Sequence, residues 1–326
     1  MSSSNVEPER ELATAAELLR YTNLTFATSR ECEKYRTIAL RNPGAEHYLI
    51  RSRKYPAENP FASYNDIRKA AALPNTRLET FVFSVNDIKE YVRIQKSRGV
   101  RFVTDDIIHA DNYFYIQTVP SVYTGNSTGF IQWHGERGNF LPRAGKPTGW
   151  TLAKPAPPYL KNIGRLDHAA TRVKSQDRND AIIEFMRLTN YNFDFAVYME
   201  SLNSITTVAR LSDKDFALVF TSGISPYMGD EKSGPTEMFI HNYGVRTHHL
   251  AYDTQNIEDT IAAIKSDGMG FLIELVGSPE EGLKQCFTNP SPNSMLVTEY
   301  IHRYGGFRGF FTRSNVTLLT ASTAKQ

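Results

Sequence analysis

The sequence predicts an α+β fold made of two related halves, and two observations lead to this prediction. In each half a strand is followed by a helix and then by several short strands, an order typical of α+β folds with mixed sheets. The segments 81–99 and 250–268 also match, because each has a strand, a turn into a helix and a closing Lys-Ser-x-Gly. The closing Gly99 and Gly268 stand where a helix C-terminus favours a left-handed residue. Their separation of 169 residues (268 minus 99) is too long for a solenoid repeat and indicates two halves of one protein.

The elements of the first half follow from local patterns. A helix is predicted over 8–20, because Leu12, Ala15 and Leu19 recur at helical spacing. The segment 51–77 is rich in Pro, Asn and Lys and is predicted to be a loop with one short helix. A strand and a helix follow in 81–99, and further short strands continue to about residue 140.

A proline-rich connector separates the halves. The segment 141–160 holds five of the sixteen prolines of the chain: Pro142, Pro147, Pro155, Pro157 and Pro158. Because proline cannot donate to a sheet ladder, this segment is expected to be a stiff spacer and not a central strand. We therefore predict a first domain over 1–142, a linker over 143–160 and a second domain over 161–326.

The second half repeats the same succession of elements. A predicted strand at 164–173 precedes a helix at 179–187, whose buried face contains Ile182, Phe185 and Met186. A second helix is predicted at 257–266. The remaining predicted strands are at 205–211, 215–221, around His249, 271–275, 283–288 and 294–303.

Composition narrows the class of protein. At 326 residues, with 40% hydrophobic and 22% charged residues, the chain has the make-up of a soluble globular protein. Its 37 basic and 35 acidic residues give a net charge of +2, which provides no electrostatic argument for a nucleic-acid or membrane-surface partner. No apolar run of about 18 residues predicts a membrane span. With no secretory signal and only two cysteines, Cys32 and Cys286, a cytoplasmic location is expected.

An alignment of the two halves singles out three candidate metal ligands. The second half has a metal-binding residue type where the first half has a neutral one at three positions: His168 against Asn23, His249 against Thr80, and Glu299 against Gln132. Two imidazoles and one carboxylate form the facial set that holds non-haem Fe(II) and leaves positions open for substrate and oxygen. The comparison predicts an iron site in the second half only.

Strand alternation is consistent with a buried site. It places His249 on the opposite face from His248, and it places Glu299 on one face with Met295 and Val297. A carboxylate among apolar residues needs a partner, which a metal ion or a buried arginine can provide. Singly, each residue has an ordinary alternative: a lone strand histidine is more often a hydrogen-bonded core residue, and a lone glutamate is more often exposed or ion-paired. The choice of His249 over His248 depends on the alignment.

These residues occur in a sequence that resembles the 4-hydroxyphenylpyruvate dioxygenase family of the vicinal oxygen chelate superfamily. The resemblance runs from about residue 21 to about 319 and is strongest at 166–168, at 249–257, and at 283–290 followed by 298–303. Gly138-Asn-Phe-Leu-Pro142 is similar to the family's domain junction. The resemblance implies two vicinal-oxygen-chelate-type domains of paired βαβββ modules with open barrel sheets. It also implies Fe(II) in the C-terminal domain, bound by His168, His249 and Glu299.

The resemblance also implies a substrate pocket. Ser204 and Gln285 match polar pocket residues of the family, and Phe287 and Phe307 match aromatics that hold the substrate ring and close the pocket. Two positions depart from the family, because Thr221 replaces a pocket asparagine and His248 replaces a glutamine. The C-terminal helix of the family is represented only by 314–319 and a short polar tail. The departures alter the substrate contacts and not the metal ligands.

The activity implied is oxidative decarboxylation of an aryl 2-oxo acid with O₂, coupled to hydroxylation of the same substrate. The expected partners are this acid and O₂, and a homo-oligomer is possible. Other readings are a hydroxymandelate-synthase type of reaction, another 2-oxo acid, an extradiol-type ring cleavage, or a non-catalytic ligand-binding protein of the same fold. A structural zinc site is a further alternative, although zinc favours closed tetrahedral sites.

Overall fold

The computed structural model describes residues 1–42, 47–135, 137–138, 145–305, 307 and 309–326. Two curled sheets, of nine and eight strands, form the two halves of the molecule. Each sheet contains two βαβββ modules. The predicted α+β class with paired βαβββ modules is therefore confirmed.

In the first half the described α-helices are α1 (Glu11–Tyr21), α2 (Ala62–Asn65) and α3 (Ile88–Ser97). Its strands are β1 (Ser2–Asn5), β2 (Thr25–Glu31), β3 (Tyr35–Arg41), β4 (His47–Arg53), β5 (Arg77–Ser84), β6 (Ile108–His109), β7 (Tyr113–Gln117), β8 (Ser127–Trp133) and β9 (Lys146–Pro147). The last of these belongs to the connector and pairs with β2 at the sheet edge, where proline is tolerated.

In the second half the described α-helices are α4 (Arg178–Leu188), α5 (Pro235–Tyr243), α6 (Ile257–Ser266) and α7 (Arg313–Ser322). Its strands are β10 (Ile163–Arg172), β11 (Asn192–Met199), β12 (Ser204–Arg210), β13 (Ala217–Gly223), β14 (Arg246–Thr254), β15 (Phe271–Ser278), β16 (Leu283–Thr288) and β17 (Val297–Arg303). None of the described helices meets the length and apolarity needed to cross a membrane.

The two sheets have the same strand order. In the first half it is β6-β7-β8-β5-β1-β4-β3-β2, with β9 added at the edge, and in the second half it is β15-β16-β17-β14-β10-β13-β12-β11. The central strand pairs also correspond, because β5 with β1 and β14 with β10 are antiparallel, while β5 with β8 and β14 with β17 are parallel. This correspondence shows that the halves are structural repeats.

The strand registers correct two of the sequence alignments. His249 pairs with Ala170 as Thr80 pairs with Ser3, so the match of His249 with Thr80 is right. Ser3 thus corresponds to Ala170, and Met1, two positions earlier, corresponds to His168. Asn23 is therefore not the counterpart of His168. The sequence alignment was wrong here because Asn23 follows α1 and lies outside the strand equivalent to β10.

Glu299 corresponds to Gly129 and not to Gln132. Glu299 pairs with Ala251 of β14, as Gly129 pairs with Val82 of β5. A side chain at Gly129 would place its Cβ 2.8 Å from the Oη of Tyr115. The packing around Gly129 therefore leaves little space for a side chain at the first-half position that corresponds to Glu299.

Several elements differ from the sequence predictions. The bounds of α6 and β16 are those predicted, whereas β1, β11 and α5 were not predicted and α7 is a full helix of ten residues. Strand β1 was missed because Ser-Ser-Ser-Asn has no β-strand pattern, yet all four residues are buried between β4 and β5. Apart from Gly138, the proposed junction 138–142 lies outside the described residues, and the domain boundaries stay predictions.

One buried apolar cluster spans both halves. It includes Leu19, Ile50 and Phe81 of the first half together with Phe220 and Tyr300 of the second. Hydrogen bonds from Arg77 to the carbonyl of Val245 and from Arg246 to the carbonyl of Thr76 also join the halves. The two halves therefore share one apolar core.

Candidate metal centre

The three predicted ligands meet inside the second sheet. They lie on the three adjacent strands β10, β14 and β17, and the registers place His168 and Glu299 on either side of Ala251, with His249 two residues earlier on that strand. Because side chains alternate along a strand, all three point to the same face. Their ligand atoms lie within 4.8 Å of one another, and all three residues are buried.

The converging atoms are one oxygen and two nitrogens. Oε2 of Glu299 lies 3.2 Å from Nε2 of His168 and 3.2 Å from Nε2 of His249. The two imidazole rings are nearly perpendicular, with centroids 5.5 Å apart. The buried Nε2 of His168 has no hydrogen-bond partner among the described residues, although it faces Glu299. The three side chains thus present one face of donors to a common point.

Outer contacts hold each ligand in position. Nδ1 of His168 lies 2.8 Å from Oδ1 of Asp167, and Arg303 donates two hydrogen bonds to the same carboxylate, at 2.6 and 3.0 Å. Nε2 of Gln285 donates to Oε1 of Glu299 at 3.1 Å, which leaves Oε2 for the imidazoles. Such contacts fix the tautomer and orientation of metal ligands.

The adjacent His248 performs the same role for His249. Its Nδ1 lies 2.8 Å from Nδ1 of His249, so one of these nitrogens must donate and the other must accept. If Nε2 of His249 is to bind a metal, its proton must lie on Nδ1, and His248 is then the acceptor. The side chain of His248 packs edge-on against Phe239 and Phe287, with ring centroids 5.1 and 5.6 Å away.

Charge at the site favours a cation. Burial lowers the pKa of His168, but the carboxylates of Glu299 and Asp167 outweigh this effect and raise it to about 9. Burial raises the pKa of Glu299. Burial and neighbouring positive groups lower the pKa of His249 well below its usual value. Burial opposes ionisation of Asp167, but His168 and Arg303 hold its pKa below the ordinary range. His168 therefore carries the proton that a metal would displace.

The donor set fits a divalent transition metal. Two imidazole nitrogens and one carboxylate with open positions are the arrangement that non-haem Fe(II) oxygenases use, whereas structural zinc sites are closed by four protein ligands. A cation at this point would satisfy both the unpartnered Nε2 of His168 and the buried carboxylate of Glu299. Within the described residues these three form the group with metal-binding geometry.

A small cavity adjoins the ligands. Its volume is about 30 Å³. Its walls are formed by the second sheet, by Phe311 and by one face of α7. The lining residues are Arg172, Thr206, Val219, Thr221, His249, Gln285, Phe287, Glu299, Phe311, Val316, Leu319 and Thr320.

The structure brings some of the predicted substrate residues to this cavity and not others. Thr221, Gln285 and Phe287 line it, and the Phe287 ring lies 4.7 Å from that of His249. Ser204 is buried beyond the cavity wall, where its hydroxyl lies 3.3 Å from the carbonyl of Ser222.

Phe307 lies outside the cavity lining. It packs with Ala251, Leu283 and Ile301 at the end of the sheet beyond the ligands. Two other aromatics, Phe310 and Phe311, lie beside the metal ligands instead. Their ring centroids are 5.3 and 5.2 Å from that of His168.

Sequence reasoning missed several residues of the site. Asp167 directly precedes His168 on β10, and Arg303 follows Glu299 by four residues on β17. Arg172 follows His168 by four residues, so strand alternation was a usable signal for it. The contributions of Phe311 and of α7 had no such signal, because they depend on how the C-terminal segment folds over the sheet.

Comparisons with known proteins support the fold. No protein-family model matches the sequence. A triple mutant of 4-hydroxymandelate synthase from Streptomyces coelicolor matches with a TM-score of 0.72 at 16% identity, covering 99% of this chain and 97% of that one. A xylose isomerase-like TIM barrel/4-hydroxyphenylpyruvate dioxygenase fusion protein matches with a TM-score of 0.65 at 14% identity, covering 100% of this chain and 52% of that one.

A third solved structure shares the fold less closely. It is the Mn(II)-bound glyoxalase from Novosphingobium aromaticivorans, with a TM-score of 0.53 at 12% identity, covering 92% of this chain and 80% of that one. At these identities the matches establish the fold. The predicted vicinal-oxygen-chelate fold is therefore confirmed, and so is the resemblance to 4-hydroxyphenylpyruvate dioxygenase at the level of the fold.

Proposed function

We propose that this protein is an Fe(II)-dependent dioxygenase that oxidatively decarboxylates an aryl 2-oxo acid with O₂ and hydroxylates the same molecule. The observation that carries this proposal is the convergence of His168, His249 and Glu299 on one point beside a cavity with a polar and an aromatic wall. The fold shared with 4-hydroxymandelate synthase and with a 4-hydroxyphenylpyruvate dioxygenase fusion supports the same reaction class.

When bound by the three ligands, Fe(II) would serve as a Lewis acid for the 2-oxo acid and as the redox centre for O₂. The chain supplies the orientation. The Asp167 carboxylate only accepts, so the Nδ1 proton of His168 stays toward it and the Nε2 lone pair faces the site. Gln285 holds Oε1 of Glu299 and prevents the carboxylate from rotating away.

The reaction balances without a second organic substrate. One oxygen atom of O₂ enters the new carboxylate as CO₂ leaves from the 2-oxo acid, and the other enters the aromatic ring or the benzylic carbon. Phe287 and Phe311 form apolar walls beside the ligands, which suits an aryl group. Val316 and Leu319 of α7 cover the cavity and keep bulk water from the reacting atoms.

Entry of a substrate requires α7 to move. A cavity of about 30 Å³ holds roughly one water molecule, whereas small-molecule pockets usually measure about 300–1,000 Å³. The face of α7 that lines the cavity contributes Val316, Leu319 and Thr320. Displacement of this helix is the route by which the cavity can open to an aryl 2-oxo acid.

A second candidate is hydroxylation of the benzylic carbon in place of the ring. The match to 4-hydroxymandelate synthase over nearly the full length of both chains favours it. The same ligands serve both reactions, so the two differ in which carbon the aromatic wall holds next to the metal. Product analysis distinguishes the two.

The test is oxygen consumption by the iron-loaded protein. The protein is loaded with Fe(II) under argon, mixed with 4-hydroxyphenylpyruvate, and exposed to oxygen while O₂ and CO₂ are recorded. We expect O₂ uptake with an equal amount of CO₂. Uptake of O₂ with a catechol and without CO₂ release would indicate ring cleavage instead. A protein that binds one iron and consumes no O₂ with any aryl 2-oxo acid would contradict the proposal.

A further inference from the structure

One wall of the cavity beside the metal ligands contains a buried arginine. Arg172 is the last residue of β10, four positions after His168, and lines the same cavity as His249 and Glu299. Four residues of strand place its backbone about 13 Å from that of His168, whereas Arg172 is only two residues beyond Ala170, the strand partner of His249. Arg172 is only 3% exposed, so its guanidinium is almost completely removed from solvent.

The partners of the Arg172 guanidinium among the described residues are neutral. One nitrogen donates to Oγ1 of Thr236 at 3.2 Å and another to Oγ1 of Thr323 at 3.0 Å, while Nε has no partner in the described part of the chain. Among the described residues no carboxylate is paired with it. Burial lowers the pKa of Arg172 to about 10, so the group remains charged at neutral pH. A buried charge with no counterion is costly to the fold.

The three other buried arginines have partners that account for them, and Arg246 donates to the carbonyl of Thr76. Arg53 makes a two-point ion pair with Glu79. Arg77 donates to Oδ1 of Asn65 at 2.9 Å and to the carbonyl of Val245 at 2.6 Å, which joins the two halves. Among the described residues Arg172 has neither a carboxylate nor a backbone carbonyl as a partner, and it alone of these four arginines lines the cavity.

The surroundings of Arg172 are those of an oxyanion site. In the strand register it lies in one row with Thr221 and Thr206, whose hydroxyls are 3.2 Å apart and line the cavity. In the next row toward the metal ligands, Ala170 has the apolar Val219 on one side and His249 on the other. The cavity therefore has a cationic, hydroxyl-rich side one row beyond the metal-binding side.

We propose that Arg172 binds an oxyanion at the end of the substrate remote from the metal, so that the natural substrate is an aryl 2-oxo acid with a second anionic group such as a ring carboxylate. The inference rests on the proposed function for the position of the 2-oxo acid. The hydroxyls of Thr206 and Thr221 complete the contacts to this group. The second charge supplies the counterion that the fold itself does not provide.

The test compares two ligands that differ only in the remote charge. Binding of phenylpyruvate and of 4-carboxyphenylpyruvate is measured by calorimetry under argon, with metal-free and Fe(II)-loaded protein, for the wild type, Arg172→Met and Arg172→Lys. A charge-assisted contact predicts that the wild type prefers 4-carboxyphenylpyruvate about 30-fold. We expect Arg172→Met to lose this preference and Arg172→Lys to keep part of it.

The outcomes distinguish the anion-binding role of Arg172 from the proposed reaction. An equal preference in the wild type and in Arg172→Met, or no preference in the wild type, would overturn the role of Arg172. A preference that depends on Arg172 in a protein that consumes no O₂ would support anion binding by Arg172 while contradicting the proposed function. A thermal melt provides the fold control: removal of an uncompensated charge should not lower the melting temperature, whereas a purely structural arginine would lower it and leave the ligand preference intact.

Discussion

Arg77 and Arg246 make reciprocal contacts across the two halves. Arg77 donates to the carbonyl of Val245, and Arg246 donates to the carbonyl of Thr76. The two arginines are related by the same 169-residue offset (246 minus 77) as the repeated helices. The repeat is thus expressed in the interface as a two-fold symmetric pair of hydrogen bonds, each from a buried guanidinium to a backbone carbonyl of the other half.

This pair predicts a shared contribution to stability. Replacement of either arginine by methionine leaves a buried carbonyl unpaired, and each change should lower the free energy of unfolding by about 1–3 kcal/mol. Burial lowers the pKa of Arg246 to about 9, and the nearby charge of Arg77 contributes to this shift. Removal of one arginine removes its charge repulsion with the other. The double variant should therefore lose less free energy of unfolding than the sum of the single losses.

Urea unfolding of the two single variants and the double variant measures this coupling. Exposed Arg93, which pairs with Glu90 on the surface of α3, provides a matched Arg→Met control. Additive losses in the double variant would show that the two contacts are independent.

Substitution of a ligand should abolish metal retention. Glu299→Ala and His249→Ala each remove one of three donors, and we expect both variants to lose Fe(II) on desalting and to lose O₂ uptake. Thr80→Ala changes the structural counterpart of His249 in the first half and should affect neither property. Iron per chain and O₂ uptake are measured on the same preparations. An active, iron-loaded Glu299→Ala protein would refute the assignment of the site.

His248 should support metal binding without touching the metal. Its Nδ1 accepts from Nδ1 of His249 in the tautomer that frees Nε2 of His249, and loss of such an outer contact typically weakens metal affinity about 10–100-fold. His248→Phe removes the acceptor, whereas His248→Asn retains a side-chain oxygen. Competition with a coloured chelator gives the affinities. Unchanged affinity in His248→Phe would assign His248 a packing role only.

Metal affinity should rise with pH. The pKa of His168 is raised to about 9 in the metal-free protein, so the imidazole is protonated at neutral pH and must lose its proton to bind a metal. Below this pKa each unit of pH should therefore increase the apparent affinity about tenfold, with release of one proton per metal. Chelator competition at pH 6, 7 and 8 and proton release in weak buffer test this. An affinity independent of pH in this range would exclude His168 as a protonated ligand.

The raised pKa of His168 predicts the opposite pH trend for the stability of the metal-free protein. Because the folded pKa of His168 is above its unfolded value near 6.5, its stabilising contribution is present below about pH 6.5 and is lost as the pH rises through about 9. Metal-free protein should therefore unfold more easily toward pH 9, and this dependence should be smaller in Asp167→Asn. Chemical unfolding of metal-free protein between pH 6 and 9 measures it.

The repeat, most element positions and the three converging side chains could be predicted from the sequence. The repeat was visible because 81–99 and 250–268 keep one local pattern, and the ligands were visible because residue type and strand alternation are properties of short segments. Local similarity was insufficient to identify the first-half counterparts of His168 and Glu299. These are set by strand register, which depends on pairing between segments far apart in the chain.

The surroundings of the ligands could not be predicted from local sequence. The polar but buried strand β1, the coverage of the cavity by α7 and the position of Phe307 beyond the cavity all arise from contacts between distant segments. The same is true of Arg172: its position after His168 is local, but only the packed fold shows that its partners among the described residues are neutral hydroxyls. Charge pairing and cavity shape are set by packing in three dimensions, and no short segment of the chain contains that information.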